Sequence, residues 1–154
     1  LIVPEDVLLY NEGMKFSHVK QADTPWKSDG LRGFFEYRDL GIKDATDGQV
    51  ICHLVRAAKP ADEGTGWHIH VLNFQIVIMN KGWAKFMYGD QSVLVEAGDV
   101  VHQQPGLIHY LYDYSRDMEY TEICSPADFG SLEVHGHNVP VPKAYGVLIV
   151  PEVE

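Results

Sequence analysis

Cysteine is scarce in this chain: of 154 residues only Cys52 and Cys124 carry thiols, and each sits inside an apolar, strand-like run. Buried reduced thiols are therefore expected, not the disulfide framework of a small secreted domain, and a cytoplasmic location follows. Positive charge is short as well, with 12 Lys and Arg against 22 Asp and Glu and a formal net charge of −10. Affinity for nucleic acid rests on basic side chains that neutralise phosphates, so a nucleic-acid partner is discounted. No apolar run approaches the roughly 20 residues of a membrane span, which argues against a membrane partner. The opening LIVPEDVLLY lacks the charged start and small-residue cleavage site of a signal peptide. Internal repeats, low-complexity blocks and long helical periods are also missing.

What the chain does contain is a series of short β-branched and aromatic runs divided by turn residues. Leu31 to Ile42 reads as a first strand, Asp44 to Gly48 as a turn, and Gln49 to Ala57 as a second strand. Trp83 to Tyr88 and Ser92 to Glu96 are parted by Gly89-Asp90-Gln91, a hairpin signal. Phe74 to Met79 is apolar on both faces, with Gln75, Val77 and Met79 on one and Phe74, Ile76 and Ile78 on the other, so it should be covered on both sides. Short strands at even spacing point to an all-β antiparallel barrel or jelly roll, which hides the edges of a flat sheet. One domain over 1–154 is expected, with an N-terminal arm over 1–30, a barrel over 31–125 and an extended C-terminal segment over 126–154. The second apolar face of Phe74 to Met79 needs the arm or another subunit, and a homodimer is the preferred assembly.

The chemistry is concentrated in histidines. His68 and His70 are one residue apart among apolar neighbours, so on a strand both imidazoles project from one face. Gln75 follows five residues later, and His109 comes after a Pro-Gly turn. Neutral imidazole is the commonest protein ligand of first-row metals. Four side chains, His68, His70, Gln75 and His109, are therefore candidate ligands of one ion.

With these residues in place, the chain resembles the cupin superfamily, and within it the small single-domain cupins. His68-x-His70, four residues, Gln75, six residues and Gly82 follow the first cupin motif; Gly98, Gly106, His109 and Asp113 follow the second. The first motif's leading glycine falls at Asp62, with Gly64 and Gly66 as substitutes, and the second motif's proline is displaced from Gln104 to Pro105. The resemblance implies a double-stranded β-helix, the jelly-roll barrel. Its larger departure is Gln75, which replaces an anionic glutamate ligand by a neutral amide. Either three histidines hold the ion with Gln75 as a weak fourth ligand or a hydrogen-bonder behind it, or the metal is lost; retention of all three histidines favours a retained site. A divalent ion with neutral ligands keeps its charge and attracts anionic oxygen ligands. Fe(II) is the first choice, and Zn, Ni, Mn and Cu fit the same set. Cupins with such a centre resemble dioxygenases that cleave β-diketones and hydroxyketones. A non-catalytic ligand sensor and a metal-dependent isomerase or lyase are the alternatives.

Other residues divide between pocket and packing. Glu122 shares a face with Tyr120; pointing inward, it would be a catalytic candidate with a pKa raised by burial, although a solvated glutamate is the plainer expectation. His102 is a further catalytic candidate, as is Gln75. Leu111 and Asp113 should face the metal, with Tyr110 and Tyr112 on the other side, and Val77, Met79, Phe86 and Tyr88 are candidate pocket walls. Trp67 and Trp83 read as core, His135 and His137 as surface, and His18 and His53 have no supporting context.

Overall fold

A computed structural model describes residues 13–61 and 64–144. Asp62, the first twelve residues of the expected arm and the last ten of the C-terminal segment lie outside the described residues. Among the described residues ten strands form two five-stranded sheets, with orders β1-β2-β9-β4-β7 and β10-β3-β8-β5-β6. The strands are β1 (Phe35–Asp39), β2 (Ile51–Ala57), β3 (His68–Val71), β4 (Phe74–Lys81), β5 (Trp83–Tyr88), β6 (Gln91–Glu96), β7 (Val100–His102), β8 (His109–Tyr114), β9 (Glu119–Ser125) and β10 (Gly130–Glu133). The only α-helix among the described residues is the single turn α1 (Ile42–Ala45). Every strand pairing is antiparallel. This is the jelly roll expected from the short strands, with inner faces of both sheets packed together.

Alternation decides what fills the space between the sheets. On β4, Gln75, Val77 and Met79 are buried, whereas Phe74, Ile76 and Ile78 are half-buried on the outside. Val77 lies opposite Glu122 on β9, and Glu122 lies opposite His53 on β2, so these three side chains share the inner face. One end of the interior is closed by apolar packing of Phe35, Met79, Tyr114 and Met118, with Phe35 and Tyr114 ring centroids 5.2 Å apart. The other end stays open and holds the polar residues.

Two turns place the functional strands. Between β3 and β4 the chain crosses from one sheet to the other within Leu72 and Asn73, so His70 and Gln75 face each other across the interior. Gly82 then reverses the chain from β4 into β5 with φ +65°, and a Cβ there would press on Ser115 and Asp117. Only glycine takes that position without strain.

The strand series runs further than the sequence suggests. Chain 130–133, expected as an extended arm, pairs with β3 as β10, with Ser131 opposite His70. The Ser125-Pro126 turn interrupts the ladder but does not end it, since β3 offers an edge to a returning strand. The described part of the N-terminal segment lies against β1 and β2: Arg38 donates to the Thr24 carbonyl at 2.9 Å, and Trp26 stacks under Arg56 at 4.2 Å. No helix among the described residues is long and apolar enough to cross a membrane. Both cysteines are free, with Cys124 buried.

Candidate metal centre

His68 and His70 leave β3 on its inner face, and the pairing of His68 with His109 brings the third imidazole from the start of β8 beside them. Ring centroids are 4.1 Å apart for His68 and His109 and 4.9 Å for each of the other two pairs. All three residues are buried, and one ring nitrogen from each lies within 4.8 Å of the other two.

The Nδ1 atoms are already committed. His68 Nδ1 donates to the Gly66 carbonyl and His109 Nδ1 to the Leu107 carbonyl, each at 2.8 Å. His70 Nδ1 lies 2.6 Å from Gln75 Oε1. A carbonyl accepts only, so each imidazole carries its proton on Nδ1 and turns the Nε2 lone pair toward the other rings. His70 Nε2 is buried and has no hydrogen-bond partner among the described residues. Leaving such an atom unsatisfied costs about 1–3 kcal/mol, and a metal ion removes that cost. The donor set thus fits a divalent ion, with the Nδ1 bonds orienting the rings as partners behind metal-bound histidines do.

Protonation follows the same logic. Burial, reinforced by neighbouring imidazoles, lowers His68 to about 3, and burial lowers His109 to about 4, so both are neutral and ligand-competent near pH 7.

Behind His70 runs a chain of hydrogen bonds into the opposite sheet. Gln75 Nε2 donates to Glu122 Oε1 at 2.7 Å, and Glu122 Oε2 lies 2.6 Å from His53 Nε2. Glu122 points inward, against the expectation of a solvated side chain, because Tyr120, Glu122 and Cys124 all share the buried face of β9. Its pKa also departs from expectation. Burial alone would raise it, but the His53 hydrogen bond and charge, with the Gln75 amide, outweigh burial and hold the carboxyl below its usual range.

The histidines, Gln75, Glu122 and His53 border one cavity of about 420 Å³, whose apolar walls include Val77, Phe86, Leu111 and Phe129. Such a volume suits a small molecule. Tyr37 and Arg32 reach the same space from β1 and the segment before it.

Solved structures with the same architecture share little sequence with this chain. The polyketide cyclase RemF from Streptomyces resistomycificus superposes with a TM-score of 0.63 at 11% identity, covering 82% of this chain and 90% of its own. A Streptomyces protein, PAC13, solved with uridine, gives 0.56 at 14% identity over 80% and 96%; it is elsewhere described as a nucleoside dehydratase. An RmlC-like cupin protein from Ralstonia eutropha JMP134 gives 0.57 at 19% over 75% and 71%. The fold is that of a cupin. A family model described as the AraC-like ligand binding domain matches residues 53–123, somewhat under half of the chain. Among curated proteins, none matches the sequence significantly.

The segment that resembles the second cupin motif differs from the sequence expectation at two points. His102 is exposed and Gln103 takes the inward place, because β7 pairs His102 with the outward Ile76. Gln103 accepts from the Tyr88 hydroxyl at 2.7 Å and lines the cavity. Asp113 does not face the three histidines: a bulge sets Leu111 opposite Phe86 and Asp113 opposite Lys85, which leaves Tyr112 as the extra residue. Alternation therefore reverses. Asp113 bonds Lys85 at 3.3 Å while Tyr114 turns into the core.

Three other expectations meet the structure directly. Phe86 faces the cavity, with Tyr88 stacked beside it at 5.4 Å. Trp67 is half-buried against Tyr110 and His137, and His137 also contacts the Gly89 carbonyl at 3.3 Å, so that part of the tail is held down. His18 is exposed. His53 and Arg32 escaped the sequence reading. QVICHLVRA is apolar on both sides of His53, so no alternation marks its face, and Arg32 lies in a loop without any motif.

Proposed function

We propose that this cupin is a mononuclear metal-dependent enzyme, with His68, His70 and His109 as ligands, Fe(II) as the first choice of ion and a small enolisable ketone of the β-diketone type as substrate. The observation that carries the proposal is the partnerless, buried Nε2 of His70, aimed at the space shared with the other two imidazoles. An ion bound there supplies positive charge and open coordination positions for an anionic oxygen ligand. Gln75 supports that ligand set from behind, since both ends of its amide are engaged by His70 and Glu122.

The chain's own residues handle protons. With Nε2 hydrogen-bonded to the Glu122 carboxylate, His53 offers its Nδ1 lone pair to the cavity it lines. It takes the substrate's α-proton, and Glu122 stabilises the imidazolium that results. Val77, Phe86 and Leu111 keep water from the enolate. For a dioxygenase the overall change consumes one O₂, breaks the bond between a carbonyl carbon and the central carbon, and leaves one oxygen atom in each fragment, a carboxylic acid and a 1,2-dicarbonyl.

Oxygen uptake by Fe(II)-loaded protein across β-diketones and hydroxyketones tests this reading. Uptake of one O₂ per substrate cleaved supports it. A second reading, a metal-dependent isomerase or lyase, draws support from the His53–Glu122 pair and from the dehydratase and cyclase that share the fold; it requires turnover without oxygen. The AraC-like match favours a third reading, a ligand sensor, which requires tight binding and no turnover.

We also propose a homodimer. The half-buried outer face of Phe74, Ile76 and Ile78 adjoins Val100, which is 64% exposed, and a partner would cover both. Sedimentation equilibrium of the full chain checks it, and a monomer at all concentrations would refute it.

A further inference from the structure

Three arginines among the described residues lie in or just before β1 and β2, namely Arg32, Arg38 and Arg56, and two are committed. Arg38 donates to Thr24, and Arg56 pairs with Glu36 at 2.7 Å over the Trp26 ring. Arg32 differs: its side chain is half-buried and lines the cavity, yet its guanidinium has no hydrogen-bond or ion-pair partner among the described residues.

The loop that carries Arg32 is seated on Tyr37. Arg32 N–H donates to the Tyr37 hydroxyl at 3.1 Å. Gly30 lies so close to the Tyr37 ring that any Cβ would collide with it. As the Tyr37 oxygen accepts that bond, its own proton is left to donate, and among the described residues it donates to nothing. Burial pushes the Tyr37 pKa up to about 12, so the proton stays on the oxygen at neutral pH. Arg32, Tyr37, His68 and His109 line the same cavity.

Charge then selects the ligand. Glu122 is the one carboxylate among the cavity-lining residues, and His53 and Gln75 already satisfy it. The chain as a whole carries −10, but within this cavity the Arg32 guanidinium has no ion-pair partner among the described residues even before a metal enters. A neutral diketone would offer the guanidinium a carbonyl acceptor without the negative charge that strengthens such a bond. A carboxylate would accept from both Arg32 and the Tyr37 hydroxyl, the pairing for which a guanidinium fork is shaped.

We infer that Arg32 and Tyr37 form a carboxylate-binding subsite, and that the ligand of this cavity is a small oxo acid whose carbonyl oxygen faces the three histidines. This rests on the enzyme reading for the carbonyl end alone; the carboxylate end stands on Arg32 and Tyr37.

Calorimetric titration with acetoacetate and with acetylacetone, its neutral isostere in which a methyl group replaces one carboxylate oxygen, tests the subsite. Zn-loaded protein is used so that no oxidation intervenes, and EDTA-stripped protein is run in parallel. Wild type is expected to bind acetoacetate at least about tenfold more tightly than acetylacetone. Arg32→Gln should bring the ratio close to one with zinc content and acetylacetone affinity unchanged, Arg32→Lys should restore part of it, and Tyr37→Phe should give an intermediate ratio. A ratio unaffected by Arg32→Gln, a preference for acetylacetone, or no binding of acetoacetate in either form overturns the inference. If zinc fails to bind but the stripped protein still takes acetoacetate in an Arg32-dependent way, the metal reading fails and the subsite stands.

Discussion

Gln75 joins His70 to Glu122: its amide oxygen accepts from His70 Nδ1 at 2.6 Å while its amide nitrogen donates to Glu122 Oε1 at 2.7 Å. Because the ionised carboxylate only accepts, the amide has one workable orientation, and that orientation puts the His70 proton on Nδ1. The glutamine thereby sets which lone pair faces the other two imidazoles. A glutamate in its place would confront Glu122.

Gln75→Glu should therefore destabilise the metal-free protein in a pH-dependent manner. Two adjacent carboxyls share one proton, so the folded chain holds a proton that the unfolded chain has released above the ordinary carboxyl range. The loss relative to wild type should grow from about pH 5 to pH 8 and reach roughly 1–3 kcal/mol. Denaturant melts at a series of pH values measure it, and a pH-independent difference would show that Glu122 is not ionised.

Metal should bind through the three imidazoles and stabilise the fold. At an ion concentration about a hundred times the dissociation constant, the gain is roughly 2.7 kcal/mol by mass action. The double variant His68→Ala, His109→Ala should lose both bound metal, by elemental analysis, and the metal-induced rise in melting temperature. Unchanged stoichiometry would disprove the site.

His53→Asn should impair proton transfer without touching metal content. Exchange of an α-proton of a bound ketone into D₂O, followed by NMR, is expected to slow by about 10²–10⁴-fold, the range typical of a lost general base. His102→Asn, at an exposed position, should leave exchange unaltered. Equal effects of the two substitutions would remove His53 from its role.

Alkaline titration should separate the tyrosines. Burial raises Tyr37 to about 12 and pushes Tyr88 and Tyr120 higher than the usual phenol range. A phenol with a raised folded pKa contributes stability that is intact below about pH 10 and is lost as the pH climbs through the folded value. Absorbance at 295 nm should rise in two phases, the second coinciding with loss of near-ultraviolet circular dichroism. A single phase near pH 10 would contradict the burial of all three.

The sequence carried the fold well because strand periodicity and turn residues are local. The alternation of Gln75, Val77 and Met79 on β4 predicts their burial, and the spacing of His68, His70 and His109 predicts their convergence. Faces were misread wherever a nonlocal event changed the register. The β8 bulge depends on pairing with β5, so Asp113 looked like a metal-side residue until Lys85 claimed it. His102 and Gln103 exchange places because the bond from Gln103 N–H to the Gln75 carbonyl fixes β7 on β4. His53, Glu122 and Arg32 meet only through tertiary packing of segments far apart in the chain, and no spacing rule could assemble them.

The three imidazoles belong to one sheet, while Gln75, Glu122 and His53 belong to the other. In the proposed reaction the bound ion and the base would thus be mounted on separate plates, with Val77, Phe86 and Leu111 lining the gap between them. These cavity-lining side chains act as spacers that set the reach of a ligand, so a methylene added at Val77 would shorten the molecule that fits between the two walls.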